Sequence, residues 1–147
     1  MTEFKNFDIT GTIYKGSNTH AYRAINTNDN QPVILKTTST AHPSPHETAR
    51  YSHEYNVLKT FKSKGLEGVV KVMDLILHDH RPYLVLEDSG GADLKTLQKS
   101  ETLALEQILE IAVKTASALG EIYQAQIIHK DIKPSNILYN QIGRAHV

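Results

Sequence analysis

The chain has 147 residues, a length that suits one average domain of roughly 100–150 residues. Hydrophobic residues make up 39% and charged residues 22%, close to the globular average, which excludes collagen, coiled coil and low-complexity disorder. Lys+Arg 16 balance Asp+Glu 16, so no global field favours nucleic acid or an anionic membrane as partner, and the lack of cysteine excludes disulfides, thiolate nucleophiles and Cys-ligated zinc.

The first third alternates like strands. Phe7–Thr10 and Thr12–Tyr14 lead to the polar turn Lys15–Thr19, and Ala21–Ile25 leads to the turn formers Asn26–Asn30. Pro32–Lys36 is a third short run closed by a charge. Ser44-Pro45-His46-Glu47 predicts a helix start: Ser44 caps, Pro45 fits the first helical position, and Glu47 stands where a capping box wants an acid. Tyr51, Tyr55 and Leu58 repeat at helical spacing until Gly65 stops the helix. Strand-like runs follow at Val69–Ile76 and Tyr83–Leu86, with a turn from Asp79 to Pro82 between them. After the break Ser89-Gly90-Gly91 come a short helix from Asp93 to Gln98 and a longer one. The longer helix carries Leu105, Ile108, Leu109, Ala112, Ala116, Leu119 and Tyr123 on one stripe. A charged loop, His129–Asn136, and a short strand, Ile137–Tyr139, complete an α+β pattern with an antiparallel meander in front.

The loop His129-Lys130-Asp131-Ile132-Lys133-Pro134-Ser135-Asn136 carries the strongest chemistry. Its histidine, its aspartate two residues on and its asparagine five residues later match the catalytic loop of protein kinases, H-R-D-x-x-x-x-N, with Lys130 in place of Arg. The resemblance implies that Asp131 accepts or orients the proton of an attacking hydroxyl. It implies that Asn136 turns an amide oxygen to Mg²⁺, and that Lys133 neutralises charge on the transferring phosphoryl group. A polar surface loop with a chance H-x-D is the plainer alternative, and eight residues in register between a helix and a strand weigh against it. Related small-molecule phosphotransferases share the loop. Lys133-Pro134 resembles the Ser/Thr protein kinase version, so Ser/Thr hydroxyls of a protein are the expected acceptor.

Three other segments resemble the same family. Val33-Ile34-Leu35-Lys36 looks like V-A-I-K, whose Lys binds the α/β-phosphates of ATP. The resemblance implies a Lys36–Glu54 ion pair. Glu47 is the rival carboxylate on that helix, and Glu54 is preferred because it lies mid-helix while Glu47 has a capping role. Leu84–Gly91 looks like the hinge of a kinase, with Leu86 behind the adenine and the backbone of Glu87 and Ser89 bonding its edge. Against the glycine-rich G-x-G-x-x-G-x-V, the chain offers Tyr14, Gly16, Thr19 and Ala21. Only the middle glycine remains, so the phosphate cover is expected to be stiffer or looser than usual. The histidines form no H-E-x-x-H and read as solvated surface rather than as metal ligands.

The resemblance covers residues 7–140: an N-lobe over about 7–88 and the start of a C-lobe over about 89–140. A narrower likeness runs through Ile13–Gly16, Gln31–Lys36, Leu86–Gly91 and Ile128–Pro134. These segments look like the N-terminal kinase domain of large bacterial hybrid proteins that carry an AAA-type ATPase, a GAF sensor and a histidine kinase downstream. No D-F-G or A-P-E follows Asn136. A partial domain is therefore expected, with little for Leu105–Tyr123 and Ile137–Leu138 to pack on. Ile142–Val147 resembles a translated sequencing adapter, so residues 141–147 are expected to be a non-native tail. No apolar run nears the roughly 18 residues of a spanning helix, and the first residues lack a signal peptide, which makes the cytoplasm the expected location. The expected activity is ATP- and Mg²⁺-dependent phosphoryl transfer by the parent protein, with the fragment itself inactive. The alternative is a pseudokinase-type regulatory or scaffold module.

Overall fold

The structure, a computed structural model, describes residues 6–100 and 102–140 and the backbone of 144–146. It divides into two compact units. The first comprises the described residues up to Thr60 together with Lys71–Asp88, and the second comprises Phe61–Val70 together with the described residues from Ser89 onward.

The first unit is a five-stranded antiparallel sheet with one helix. Strands β1 (Phe7–Lys15), β2 (Thr19–Asn26) and β3 (Gln31–Thr38) form the expected meander, followed by helix α1 (Pro45–Ser63) and strands β4 (Val72–His78) and β5 (Arg81–Glu87). The strand order is β1-β2-β3-β5-β4. β1 runs unbroken across Gly11, with irregularities in its register between Ile9 and Gly11 and between Thr12 and Tyr14. Alternation divides the apolar residues between the two faces of the sheet. Ala24, Val33, Leu35, Tyr83 and Val85 form one buried cluster. Leu84 and Val72 join Tyr51 of α1 in another, with Tyr55, Leu58, Leu75 and Leu86 packed against it. Lys36 is paired with Leu84 across β3 and β5 and so shares the face that α1 covers.

Helix α1 begins as its sequence dictates. The Ser44 amide donates to Glu47 Oε2 at 2.8 Å, and the Glu47 amide donates to Ser44 Oγ at 3.2 Å, a reciprocal capping box. It ends at a Schellman turn. Gly65 takes φ +70, its amide donates to the Lys62 carbonyl, and the Leu66 amide donates to that of Phe61.

Two sequence-based boundaries move. The turn between β4 and β5 is only Asp79-His80, both at positive φ, whereas the sequence extends it to Pro82. Pro82 is tolerated in β5 because the β3 ladder starts one residue later, at Tyr83, and its carbonyl accepts from Thr37 Oγ1 at 2.7 Å. β4 begins at Val72 rather than Val69, because Val69 belongs to the second unit.

In the second unit, β6 (Ala92–Asp93), β7 (Leu138–Asn140) and β8 (Arg144–His146) form a small antiparallel sheet in that order. Helix α2 (Leu94–Ser100) is capped by Asp93, whose Oδ1 accepts from the Thr96 amide at 3.0 Å. Helix α3 (Leu105–Gln124) buries Ile111, Ala118 and Ile122. Gly68 lies so close to it that an added Cβ would stand 2.5 Å from Ala118 Cβ. The stripe seen in the sequence is the other face: Leu105, Ile108, Leu109 and Tyr123 are all exposed. At 100° per residue the two faces lie about a third of a turn apart. Ile137 departs from expectation, being buried together with Tyr139. Of the proposed tail, residues 141–143 and 147 lie outside the described residues, while the backbone of 144–146 pairs with β7.

Candidate functional site

The candidate residues fall into a group on each unit. On the first, β3 places Lys36 under α1, and Glu54 lies one helical turn beyond the buried Tyr51. Lys36 Nζ donates to Glu54 Oε1 at 2.7 Å. Glu47, the rival carboxylate, is occupied in the cap at Ser44. Ala21 faces Lys36 in the β2–β3 register and Tyr14 in the β1–β2 register, so it stands between the charged pair and the β1–β2 turn. Gly16 opens that turn, its amide donating to the Thr19 carbonyl at 2.9 Å. The Tyr14 ring lies over it: a Cβ added at Gly16 would fall onto the Tyr14 hydroxyl, Cζ and Cε1. Leu86 is half-buried against the Tyr51–Val72–Leu84 cluster, and the exposed Glu87 donates its amide to the Lys71 carbonyl at 2.9 Å.

On the second unit, Ser89 accepts at its carbonyl from Asn140 Nδ2 at 3.2 Å. The loop before β7 closes on Asp131. Lys133 Nζ lies 3.0 Å from Asp131 Oδ2. Asn136 Nδ2 donates to the same oxygen at 2.8 Å and to the Asp131 carbonyl at 2.9 Å. The Asp131 amide points at His129 Nδ1, 3.3 Å away. A 3-10 turn, Pro134–Asn136, brings the asparagine back onto the aspartate. Hydrogen bonds first from Lys133 and then from Asn136 hold the Asp131 carboxyl below the ordinary carboxylate range. Lys130 sits at φ +63, a left-handed conformation costly for a residue with a Cβ, directly before Asp131.

The loop can keep a carboxylate ionised beside a fixed cation. Both bonds to the carboxylate fall on Oδ2, and the Asn136 amide nitrogen faces Asp131, so the Asn136 oxygen is turned elsewhere and is a fitting ligand for a hard cation. Among the described residues, no three His, Asp or Glu side chains are placed to hold a metal together. Asn136 thus fits a metal site as one ligand of several.

Several positioning contacts have no sequence signal. Asp88, nearly buried, is held by Arg23 Nε at 2.9 Å, a pair 65 residues apart in the chain. Asn140, which holds Ser89, and Ser39, which binds the β1–β2 turn, are likewise joined to their partners only by the fold. Lys36–Glu54 has a local signal, a strand-end lysine followed by a mid-helix carboxylate.

Comparison with known proteins shows the family. The family described as "Protein kinase domain" matches residues 7–147. A "probable serine/threonine-protein kinase" of Bifidobacterium longum is 25% identical over 96% of this chain and 19% of its own length. Another of that description in Clostridium perfringens is 38% identical over 52% of this chain and 11% of its own. A mitogen-activated protein kinase of Eremothecium gossypii is 26% identical over 95% of this chain, which spans 33% of it. The chain therefore covers a third or less of these relatives. Protein kinase domains transfer the γ-phosphoryl group of ATP with the help of divalent metal ions. By the family match over residues 7–147, the chain belongs to the protein kinase domain family.

Proposed function

We propose that the parent protein transfers the γ-phosphoryl group of ATP, as its Mg²⁺ complex, to Ser/Thr hydroxyls of a protein. The observation that carries this reading is the single oxygen, Asp131 Oδ2, held by both Lys133 and Asn136. A carboxylate kept ionised can accept the hydroxyl proton, and the cation beside it offsets charge on the phosphoryl oxygens. Lys36, held by Glu54, is the phosphate-binding cation on the first unit, with Gly16 and Ala21 as further nucleotide-binding residues. Leu86, Glu87 and Ser89 take the adenine. Asn136 would hold Mg²⁺ as one ligand of several, and the ion would supply charge neutralisation at the phosphates.

In this reading residues 1–140 are the kinase portion and 141–147 are foreign to it. The domain works in the cytoplasm at the head of a longer chain with sensor and ATPase modules. The 147-residue chain alone is read as transferring no phosphoryl group. A regulatory module without transfer activity is favoured by one feature, the replacement of two glycines by Tyr14 and Thr19.

The test is γ-labelled ATP with Mg²⁺, the full-length protein and a casein-like acceptor, followed by phosphoamino-acid analysis. The expected result is label on Ser and Thr. Label on Tyr alone contradicts the acceptor assignment, and no label with intact ATP binding favours the regulatory module.

A further inference from the structure

Two of the three glycines of a phosphate cover are replaced here, and only Gly16 is left in the turn between β1 and β2. The structure supplies other means of holding that turn. The Gly16 amide closes it on the Thr19 carbonyl. The Tyr14 ring fills the space beside Gly16 that any side chain at that position would need. Ser39, just past the end of β3, takes two consecutive carbonyls of the turn: its hydroxyl donates to Ser17 O, and its amide donates to Asn18 O at 3.2 Å.

These contacts determine where the turn's donors point. In a trans peptide the N–H and C=O face opposite ways. With the Ser17 and Asn18 carbonyls held on Ser39, the amides of Asn18 and Thr19 are directed away from it. Amide direction is what makes a backbone concavity attract an anion. Glycine's usual contribution is freedom to adopt such a shape; here the shape is set in advance by neighbours.

We propose that Ser39 and Tyr14 are positioning residues that fix the β1–β2 turn as a pre-set phosphate cover in place of the missing glycines. The inference rests on the nucleotide reading above for its function, but not for its structure. Neither residue needs to touch the nucleotide.

The test uses the full-length protein with Ser39→Ala, Ser39→Thr and Tyr14→Gly, the last restoring the glycine. Two readouts are taken: amide hydrogen exchange over residues 15–19, and affinities for ATP and for adenosine. Losing one net hydrogen bond predicts roughly fivefold faster exchange in the turn for Ser39→Ala, with ATP weakened by a similar factor. Tyr14→Gly moves both in the same direction. Adenosine, which has no phosphates, binds unchanged, and Ser39→Thr restores the original behaviour. Unchanged exchange in Ser39→Ala or Tyr14→Gly overturns the proposal, and so does equal weakening of ATP and adenosine. If the unaltered protein binds neither ligand, the nucleotide reading fails, and the exchange rates alone then decide whether the turn is fixed as described.

Discussion

Asp131 is exposed to solvent, yet its carboxyl is held below the usual range because Lys133 and then Asn136 donate to it. Lowering of this kind favours the ionised form. The contacts are present above the ordinary carboxylate range and are lost as pH falls through the lowered folded pKa. Replacing Lys133 removes the larger cause. We expect Lys133→Met to move the Asp131 titration, followed by carboxyl NMR, to higher pH, with the acid limb of any transfer-rate profile moving the same way. An unmoved titration would show that Lys133 does not govern this carboxylate. The pair Lys36–Glu54 is about a third exposed on both side chains, a setting in which ion pairs stabilise a fold by only ~0.2–1 kcal/mol. Glu54→Gln is therefore expected to change denaturant stability by less than about 1 kcal/mol while sharply lowering transfer by the full-length protein. A large stability loss would mark the pair as structural. At this scale the sequence is most legible where residues lie close along the chain. Asp131, Lys133 and Asn136 are read from one loop, whereas Arg23 with Asp88 and Ser39 with Ser17 are joined only by strand pairing.

Among the elements, α1 illustrates full legibility. Ser44 and Glu47 lie three residues apart and cap each other, and the Ser44 amide followed by its hydroxyl holds the Glu47 carboxyl below its ordinary range. Ser44→Ala should lower unfolding free energy by about 1 kcal/mol, measured by urea titration. No change would mean that the cap is redundant. Helix α3 shows where periodicity falls short. It is apolar on two faces, and hydropathy selects the broader one, while the packed face is the one whose small Ala118 admits the close approach of Gly68. Ile111→Ala, on the packed face, is expected to cost about 2–4 kcal/mol. Leu109→Ala, on the exposed face, is expected to stay within about 0.5 kcal/mol. Reversed magnitudes would show that the sequence-derived stripe is the core after all. β6 and β8 escaped the sequence because strands of two and three residues are too short to show alternation.

For the molecule as a whole, the order of strands and helices was readable because each motif sits at an element boundary: Lys36 near the end of β3, Glu87 at the end of β5, and Asp131 ahead of β7. The two compact units meet in the chain at Asp88 and Ser89, and the first of them is interrupted by residues 61–70. That residues 61–70 belong to the second unit is not legible in any local pattern of the sequence. The central claim is that the chain forms part of a phosphoryl transferase whose base is Asp131. The direct measurement is single-turnover transfer from ATP by the full-length protein and by its Asp131→Asn variant, with ATP affinity recorded alongside. Loss of a general base predicts a fall in rate of roughly 10²–10⁴ with ATP affinity retained. Near-normal turnover by the variant would contradict the claim.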